Sequence, residues 1–336
     1  MKKLIDDKKK QLKANLHCHS VLSDGRWTPE QIKEEYAKRG YSVVAITDHE
    51  RLVPHHDLSD ENILFLTAYE MYVRTMPFDY EQGLQSHMNL YSLTPENKMV
   101  YYTPDHTRYI PKEELETLEY HEFVEHRRYD LEFIKQAVEK AREYGFLVCH
   151  NHPSWSLEDE SIAPAYSDCF AMEIYNHASM FDGFTGYDRQ YYEHQLRRGC
   201  KIAPIAADDN HDKHSVESEY NDSFGGVTYI LADKLEYGAV TQALQRQDFY
   251  ASTGARVFSL TAEDGVLSVQ TSEAKYILFW TNTHSRKLVV APAGQTVTSA
   301  EFKPSEKVEW VCVEVTDEFG KKAFTRAYYR NEWGEE

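Results

Sequence analysis

Short runs of apolar and β-branched residues alternate with helical patterns over most of the chain, from about residue 13 to residue 251. Short apolar runs are typical of buried strands, and their alternation with amphipathic helices favours a parallel β/α barrel. The runs that predict these strands are 13–16, 41–46, 63–68, 87–91, 146–149, 170–175, 201–206 and 226–231.

Two helices are marked clearly between these runs. Thr28 and Gln31 have the spacing of a capping box at the start of the first helix, and Gly40 ends that helix. Over 130–144, apolar residues recur every three or four positions, which predicts a helix with one buried face that Gly145 ends. Each helix leads into an apolar run, as a β/α alternation requires.

The pattern changes after Gly254, where short strands follow one another without helices. Residues 263–265, Glu-Asp-Gly, lie between two such strands and predict a hairpin. The chain is therefore expected to divide into a barrel over 1–253 and a small C-terminal all-β sandwich over 254–336. Few titratable groups cluster in the second part, so we expect it to serve packing, dimerisation or the substrate rim.

Residues 94–128 interrupt the barrel pattern with a charged segment that carries several tyrosines and histidines. Long insertions in a compact enzyme domain usually shape or cover a site. We expect this insertion to form a lid or rim, with an ordinary surface excursion as the alternative.

The composition of the chain indicates which partners it is expected to bind and in which compartment it is expected to be found. The formal net charge of the 336 residues is −18, which disfavours nucleic acid as a partner because its phosphates would be repelled. The first ten residues are charged, no run is long enough to span a membrane, and the five cysteines contain no Cys-x-x-Cys pair. We expect a cytoplasmic protein with reduced thiols, although a trimmed signal peptide would leave the same sequence. The oligomeric state is not predicted.

Imidazoles and carboxylates follow the ends of the predicted strands, which form the reactive face of a β/α barrel. His17 and His19 are two positions apart, so both point to one side of their strand, and Cys18 points away. Imidazole and carboxylate without thiolate are typical ligands of divalent metals. The exception in position is His87, which opens its run. The candidates are His17, His19, Asp24, His49, Glu70, His87, His150, His152, Asp208, Asp209 and His211.

Most of these residues belong to short motifs. The motifs are His17-Cys18-His19, Asp24-Gly25, Thr47-Asp48-His49, Tyr69-Glu70, His87, His152-Pro153 and Asp209-Asn210-His211. In combination they resemble the successive signatures of the PHP (polymerase and histidinol phosphatase) metallohydrolases, over about residues 13–253. The resemblance implies a distorted seven-stranded β/α barrel and a cluster of two or three divalent metals that carries out hydrolysis, most often of phosphate esters.

Carried over to this sequence, the family pattern implies three sets of metal ligands. The first set is His17, His19, Glu70 and Asp209; the second is Glu70, His87 and His152; the third is Asp24, His49 and His211. Asp24 is a carboxylate where some relatives have an imidazole, which favours Mn²⁺, Fe²⁺ or Mg²⁺, with Zn²⁺ as the alternative. His150 is the alternative to His152 as a ligand.

The resemblance also implies a nucleophile, a hydroxide shared by two metals that attacks a small-molecule phosphate ester. His177, which follows an apolar strand end, and His150 are the candidate catalytic side chains. The C-terminal strands and residues 251–254 resemble a PHP subgroup with an appended β-domain that includes carbamate and aryl-ester hydrolases. Hydrolysis of a carbamate or carboxylic ester is therefore the alternative function, and a metal-binding module without catalysis is a further one.

Overall fold

The computed structural model describes residues 1–75, 83–98, 103, 106–116 and 126–334. Parts of the predicted insertion therefore lie outside the described residues. The helices are α1 (Pro29–Lys38), α2 (Lys112–Leu115), α3 (Leu131–Glu143), α4 (Arg189–Arg197), α5 (Tyr237–Gln245) and α6 (Arg330–Trp333). The strands are β1 (Lys2–Ile5), β2 (Lys10–Asn15), β3 (Val43–Ile46), β4 (Leu64–Arg74), β5 (Gln85–Ser92), β6 (Phe146–His150), β7 (Ala171–Asn176), β8 (Ala203–Ala207), β9 (Val227–Ala232), β10 (Phe249–Ser252), β11 (Val257–Glu263), β12 (Val266–Ala274), β13 (Tyr276–Thr281), β14 (Lys287–Val290), β15 (Val297–Phe302), β16 (Trp310–Thr316), β17 (Lys322–Thr325) and β18 (Tyr328–Tyr329).

The two clearly marked helices form as the sequence predicts. In α1 the Thr28 hydroxyl accepts from the backbone N–H of Gln31, and the Gln31 side chain accepts from the backbone N–H of Thr28. In α3 the Asp130 carboxylate caps the first turn, and the apolar face of the helix is buried. Both caps satisfy backbone donors that have no partner inside the helix.

One large sheet contains most of the strands and gives the protein a mixed α/β fold with few helices. Its order is β14-β13-β16-β17-β10-β9-β2-β3-β4-β5-β6-β7-β8. The run β2-β3-β4 is parallel, and so is β6-β7-β8. The prediction of parallel strands throughout is wrong at two strands: β5 is antiparallel to both β4 and β6, and β9 is antiparallel to both β2 and β10. Because β5 is reversed, its beginning lies beside the C-terminal ends of its neighbours, which explains why His87 lies near the start of its strand.

The first and last strands of the run β2–β8 meet beyond their C-terminal ends. The backbone N–H of Asp209 donates to the carbonyl of His17 at 2.9 Å, and the N–H of His19 donates to the carbonyl of Asn210 at 3.0 Å. Cys18 and Asn210 form the parallel bridge between these extensions. The segments that carry the candidate ligands are thus drawn together around one end of the sheet.

A second, four-stranded sheet has the order β1-β11-β12-β15. The predicted hairpin joins β11 to β12, with Asp264 and Gly265 both at positive φ, as a tight two-residue turn requires. The charged N-terminal segment contributes β1, which the sequence did not predict. Apolar side chains of this sheet, such as Leu267 and Val269, share a buried cluster with Phe279 and Val313 of the large sheet.

No helix among the described residues has both the length and the apolar character needed to cross a membrane.

Candidate metal centre

Nine of the predicted ligands meet at the end of the sheet where the strands β2–β4 and β6–β8 finish. Glu70 lies within β4 and His87 within β5, and the other seven follow strands β2, β3, β6 and β8. Their donor atoms form overlapping groups in which all atoms lie within 4.8 Å of one another. We call this set the nine-ligand cluster; it consists of His17, His19, Asp24, His49, Glu70, His87, His152, Asp209 and His211.

Glu70 lies at the centre of the cluster and is fully buried. Imidazole nitrogens surround both of its carboxylate oxygens. Oε1 lies 3.0 Å from His87 Nδ1 and 3.3 Å from both His17 Nε2 and His152 Nε2, and Oε2 lies 2.8 Å from His49 Nδ1 and 3.6 Å from His19 Nε2.

Two further carboxylates complete the cluster, one on each side of His19. Asp209 Oδ1 lies 3.0 Å from His19 Nε2 and 3.1 Å from His17 Nε2. Asp24 Oδ1 lies 3.4 Å from His211 Nε2 and 3.9 Å from His19 Nδ1. The side chain of Asp24 is 40% exposed, so this side of the cluster faces solvent.

The donor atoms fit divalent cations better than they fit hydrogen bonds to one another. Glu70 Oε2 and His49 Nδ1 are buried and form an ion pair at 2.8 Å that lacks the alignment of a hydrogen bond, and neither atom has another hydrogen-bond partner. Buried polar atoms are rarely left without a partner, so lone pairs that converge in this way indicate a binding position for a cation. All five cysteines are free and buried outside the cluster, in agreement with a donor set of imidazole and carboxylate.

The grouping of the ligands differs from the family-derived sets in one respect. Glu70 and His87 group with His49, whereas His152 groups with His17 and Asp209. The solvent-facing group contains the three members expected for the third set, Asp24, His49 and His211, together with His19.

The charges in the cluster shift the pKa values of its imidazoles in opposite directions. Burial opposes protonation of His17, but Asp209 and the other neighbouring carboxylates hold its pKa well above the usual value. Burial likewise opposes protonation of His49, and Glu70 outweighs it and raises the pKa of His49 to about 9. Burial and neighbouring imidazoles lower the pKa of His19 to about 4. The excess negative charge that causes these upward shifts would be neutralised by cations.

Glu173, in the middle of β7, contacts two ligands of the cluster, His17 and His152, without being a member of it. Its Oε1 lies 2.7 Å from His17 Nδ1, and its Oε2 accepts from the backbone N–H of His152 at 3.0 Å and from Asn176 Nδ2 at 2.9 Å. A carboxylate on Nδ1 fixes the tautomer that leaves the Nε2 lone pair free for a metal. Glu173 is not among the site residues predicted from the sequence, although a lone glutamate inside the apolar run Ala-Met-Glu-Ile-Tyr was the available signal.

The loop that carries Asp24 is held by Asp48. This carboxylate accepts hydrogen bonds from the backbone N–H and hydroxyl of Ser20 and from the hydroxyl of Ser23. Gly25 completes the loop, because a Cβ at this position would lie 2.4 Å from the carbonyl oxygen of His19. Local packing therefore fixes the position from which Asp24 reaches the cluster.

Two ligands lie on backbone in the left-handed region, where residues other than glycine are strained. Asp209 has φ of 56°, and His152 has φ of 21°. Such conformations cost about 1–3 kcal/mol each and persist where the surrounding structure enforces them. Here they turn both side chains into the cluster directly after β8 and β6.

The predicted catalytic histidines have contacts of their own outside the cluster. His150 Nε2 lies 2.8 Å from Glu158 Oε2, and the His150 ring stacks on Tyr166 with centroids 3.7 Å apart. His177 Nδ1 lies 2.7 Å from the Tyr175 hydroxyl, and burial lowers the pKa of His177 to about 4. No described contact joins either ring to the nine ligands, and their catalytic roles stay predictions.

Comparison with known proteins gives weak likenesses. No family model and no curated protein matches the chain. Among solved structures, a two-domain protein from Bacteroides vulgatus that contains a predicted PHP-like metal-dependent phosphoesterase is 16% identical with a TM-score of 0.49, covering 98% of both chains. A protein from Bifidobacterium adolescentis, provisionally assigned as a metal-dependent phosphoesterase, is 16% identical over 60% of this chain and 89% of its own (TM-score 0.39). An amidohydrolase from Chromobacterium violaceum, with bound sulfate and no metal, is 15% identical over 59% of this chain and 87% of its own (TM-score 0.36).

Proposed function

We propose that this protein is a metal-dependent hydrolase that cleaves a small-molecule phosphate ester at the nine-ligand cluster. The observation that carries the proposal is the convergence of six imidazoles and three carboxylates, with Glu70 Oε2 and His49 Nδ1 buried without hydrogen bonds. Two or three divalent cations held there would supply a hydroxide nucleophile at neutral pH and stabilise the charge that develops in the transition state.

The residues of the cluster divide into buried and accessible ligands. The side chains of His17, His19 and Glu70 are fully buried, so they would hold cations out of contact with bulk water. The side chains of Asp209, His49 and His211 are 14–16% exposed, and Asp24 is 40% exposed. We infer that an ester enters from the side of Asp24 and His211, since substrate can reach the cluster only where ligands are accessible.

The second candidate function is hydrolysis of a carbamate or carboxylic ester at the same cluster. Among the described residues, no lysine or arginine forms an ion pair with Asp24, Glu70 or Asp209, and aromatic rings border several of the imidazoles. The absence of such ion pairs among the described residues is compatible with an uncharged ester as well as with a phosphate. This candidate agrees with the resemblance of the C-terminal strands to the carbamate and aryl-ester hydrolase subgroup.

The proposal includes the architecture of a distorted seven-stranded PHP barrel over 1–253, formed by β2–β8, and a β-sandwich over 254–336. The backbone bonds between the extensions of β2 and β8 support closure of the barrel. The shared apolar cluster of the two sheets supports a sandwich. The large sheet runs from β10 into β17, so the two parts would share a continuous sheet.

The test compares two esters on protein purified without chelator and supplied with Mn²⁺, Fe²⁺ or Zn²⁺. Hydrolysis of p-nitrophenyl phosphate that stops on chelation, and that Asp209→Asn abolishes, is expected for the phosphoesterase. Hydrolysis of 1-naphthyl acetate alone would favour the second candidate. Bound metal without turnover of either ester, across a panel of further esters, would contradict both and leave a metal-binding module.

A further inference from the structure

The ligand His211 depends on the position of its own backbone, because it lies on the loop after β8 and not within a strand. Its ring is oriented by the carbonyl of Asp209, which accepts from Nδ1 at 3.0 Å and leaves the Nε2 lone pair free, 3.4 Å from Asp24 Oδ1. The carbonyl of His211 accepts from the backbone N–H of Arg26 at 3.0 Å, on the loop that carries Asp24. His211 can therefore act with Asp24 only if its backbone stays beside this loop.

The carboxylate of Asp222 holds the other side of the same backbone. Its Oδ2 accepts from the backbone N–H of His211 at 2.8 Å, and its Oδ1 accepts from the backbone N–H of Asp212 at 3.1 Å. Asp212 has φ of 54°, and successive N–H groups at such a turn form a concave site that suits an anion. Asp222 is 8% exposed, so water competes little for these two donors.

Other contacts close the loop without reaching His211. The carboxylate of Asp208 accepts from two backbone N–H groups of residues 224–226, at 2.8 and 2.7 Å. The residues between the two bonded segments, 213–221, are mostly exposed. Because Asp208 closes the loop by itself, the specific contribution of Asp222 is the position of the His211 backbone.

We propose that Asp222 is a positioning residue that acts through His211 and sets the affinity of the solvent-facing ligand group for one divalent cation. This inference rests on the metal centre of the proposed hydrolase. His211 belongs to this group alone, with His19, Asp24 and His49, and to none of the other groups of donor atoms. A displaced His211 should therefore weaken one cation and leave the others bound. In the proposed function, that cation lies on the side from which the ester enters.

Asp222→Asn disturbs this contact with little change in the size of the side chain. Both oxygens of Asp222 accept from N–H groups, so the amide nitrogen of the asparagine must face one of the two donors. Titration of chelator-treated protein with Mn²⁺, with free Mn²⁺ measured by electron paramagnetic resonance, gives the affinity of each bound cation. The cation whose affinity falls in His211→Ala marks the solvent-facing group. Asp222→Asn is expected to weaken that cation about tenfold and to leave the others within about twofold of wild type.

Two comparisons separate positioning from general damage to the loop. Ser223→Ala removes a hydroxyl that donates to Asp212 in the same loop and makes no contact with His211, so every Mn²⁺ affinity should stay that of wild type. Asp222→Asn combined with His211→Ala should weaken Mn²⁺ binding no further than His211→Ala alone, because residues that act through one another are not additive.

The inference would be overturned by unchanged Mn²⁺ binding in Asp222→Asn, by equal losses in Asp222→Asn and Ser223→Ala, or by loss of every bound Mn²⁺ in Asp222→Asn. Selective weakening of one Mn²⁺ in a protein that cleaves no ester would support the role of Asp222 while contradicting the proposed hydrolase. Ester cleavage by wild type, with wild-type Mn²⁺ affinities in Asp222→Asn, would support the hydrolase while contradicting the role of Asp222.

Discussion

Glu173→Gln tests whether the contacts of Glu173 with His17 and His152 govern the affinity of the cluster for metal. The substitution keeps the size of the side chain but replaces one carboxylate oxygen with an amide that donates. The wild-type carboxylate only accepts, from His17 Nδ1 and from the backbone N–H of His152. Because Oε2 accepts from two donors, the backbone N–H of His152 and Asn176 Nδ2, the oxygen of the glutamine is expected to stay there and its N–H group to face His17 Nδ1. The His17 ring then loses the partner that fixes its tautomer.

The expected loss of metal affinity can be estimated from the position of Glu173 behind the imidazole of His17. Partners behind a metal-bound imidazole typically change metal affinity by about 10–100-fold, which corresponds to roughly 1.4–2.7 kcal/mol. Glu173 contacts the ligand His17 and the backbone of the ligand His152, so we expect an effect toward the upper end. The cluster keeps its nine ligands, so metal binding should weaken rather than disappear.

The assay is competition for Mn²⁺ against a chelator of known affinity, with the bound metal measured by elemental analysis. Glu158→Gln is the matched control, because Glu158 is also an acceptor for a buried histidine, His150, that lies outside the cluster. Unchanged affinity in Glu173→Gln, or an equal loss in both variants, would refute the reasoning.

Three further predictions address the charges and the backbone of the site. In chelator-treated protein, protonated His49 contributes stability that is fully present below pH 6.5 and is lost as pH rises through the folded pKa of His49, about 9. Urea denaturation should therefore show a free energy of unfolding that falls between pH 6.5 and about pH 9. Metal-loaded protein should not show this fall. Arg127→Met should cost about 3–5 kcal/mol in the same assay, because it leaves Glu50 buried without its charged partner; a loss below 1 kcal/mol would contradict this. Gly25→Ala should lower metal content because its Cβ would meet a carbonyl at 2.4 Å, whereas Gly238→Ala, with no atom within 4 Å, should not; equal metal content in both would be the contrary result.

The position of the ligands could be predicted because strand ends are local features of a sequence. His17, His49 and Asp209 each follow an apolar run, and strands that run in parallel bring such positions to one side. His87 is the exception, because in the sequence it opens an apolar run instead of following one. The departure was informative, since it marks the reversed strand β5.

The supporting contacts could not be predicted because they join distant segments. The pairing of Glu50 with Arg127 spans 77 positions, and His17 and Glu173 are 156 positions apart. Neither the spacing nor the periodicity of a single sequence specifies such pairs. The strand β1 could not be predicted for the same reason. Its charged sequence does not have a strand pattern, and its partner β11 is distant in the sequence.

An anomalous-scattering map from crystals of the protein grown with Mn²⁺ would locate bound cations directly. Two or three anomalous peaks are expected inside the nine-ligand cluster, with Glu70 and Asp209 beside them. A map from fully loaded crystals that shows no peak within reach of Glu70, or peaks only at other sites, would contradict this expectation.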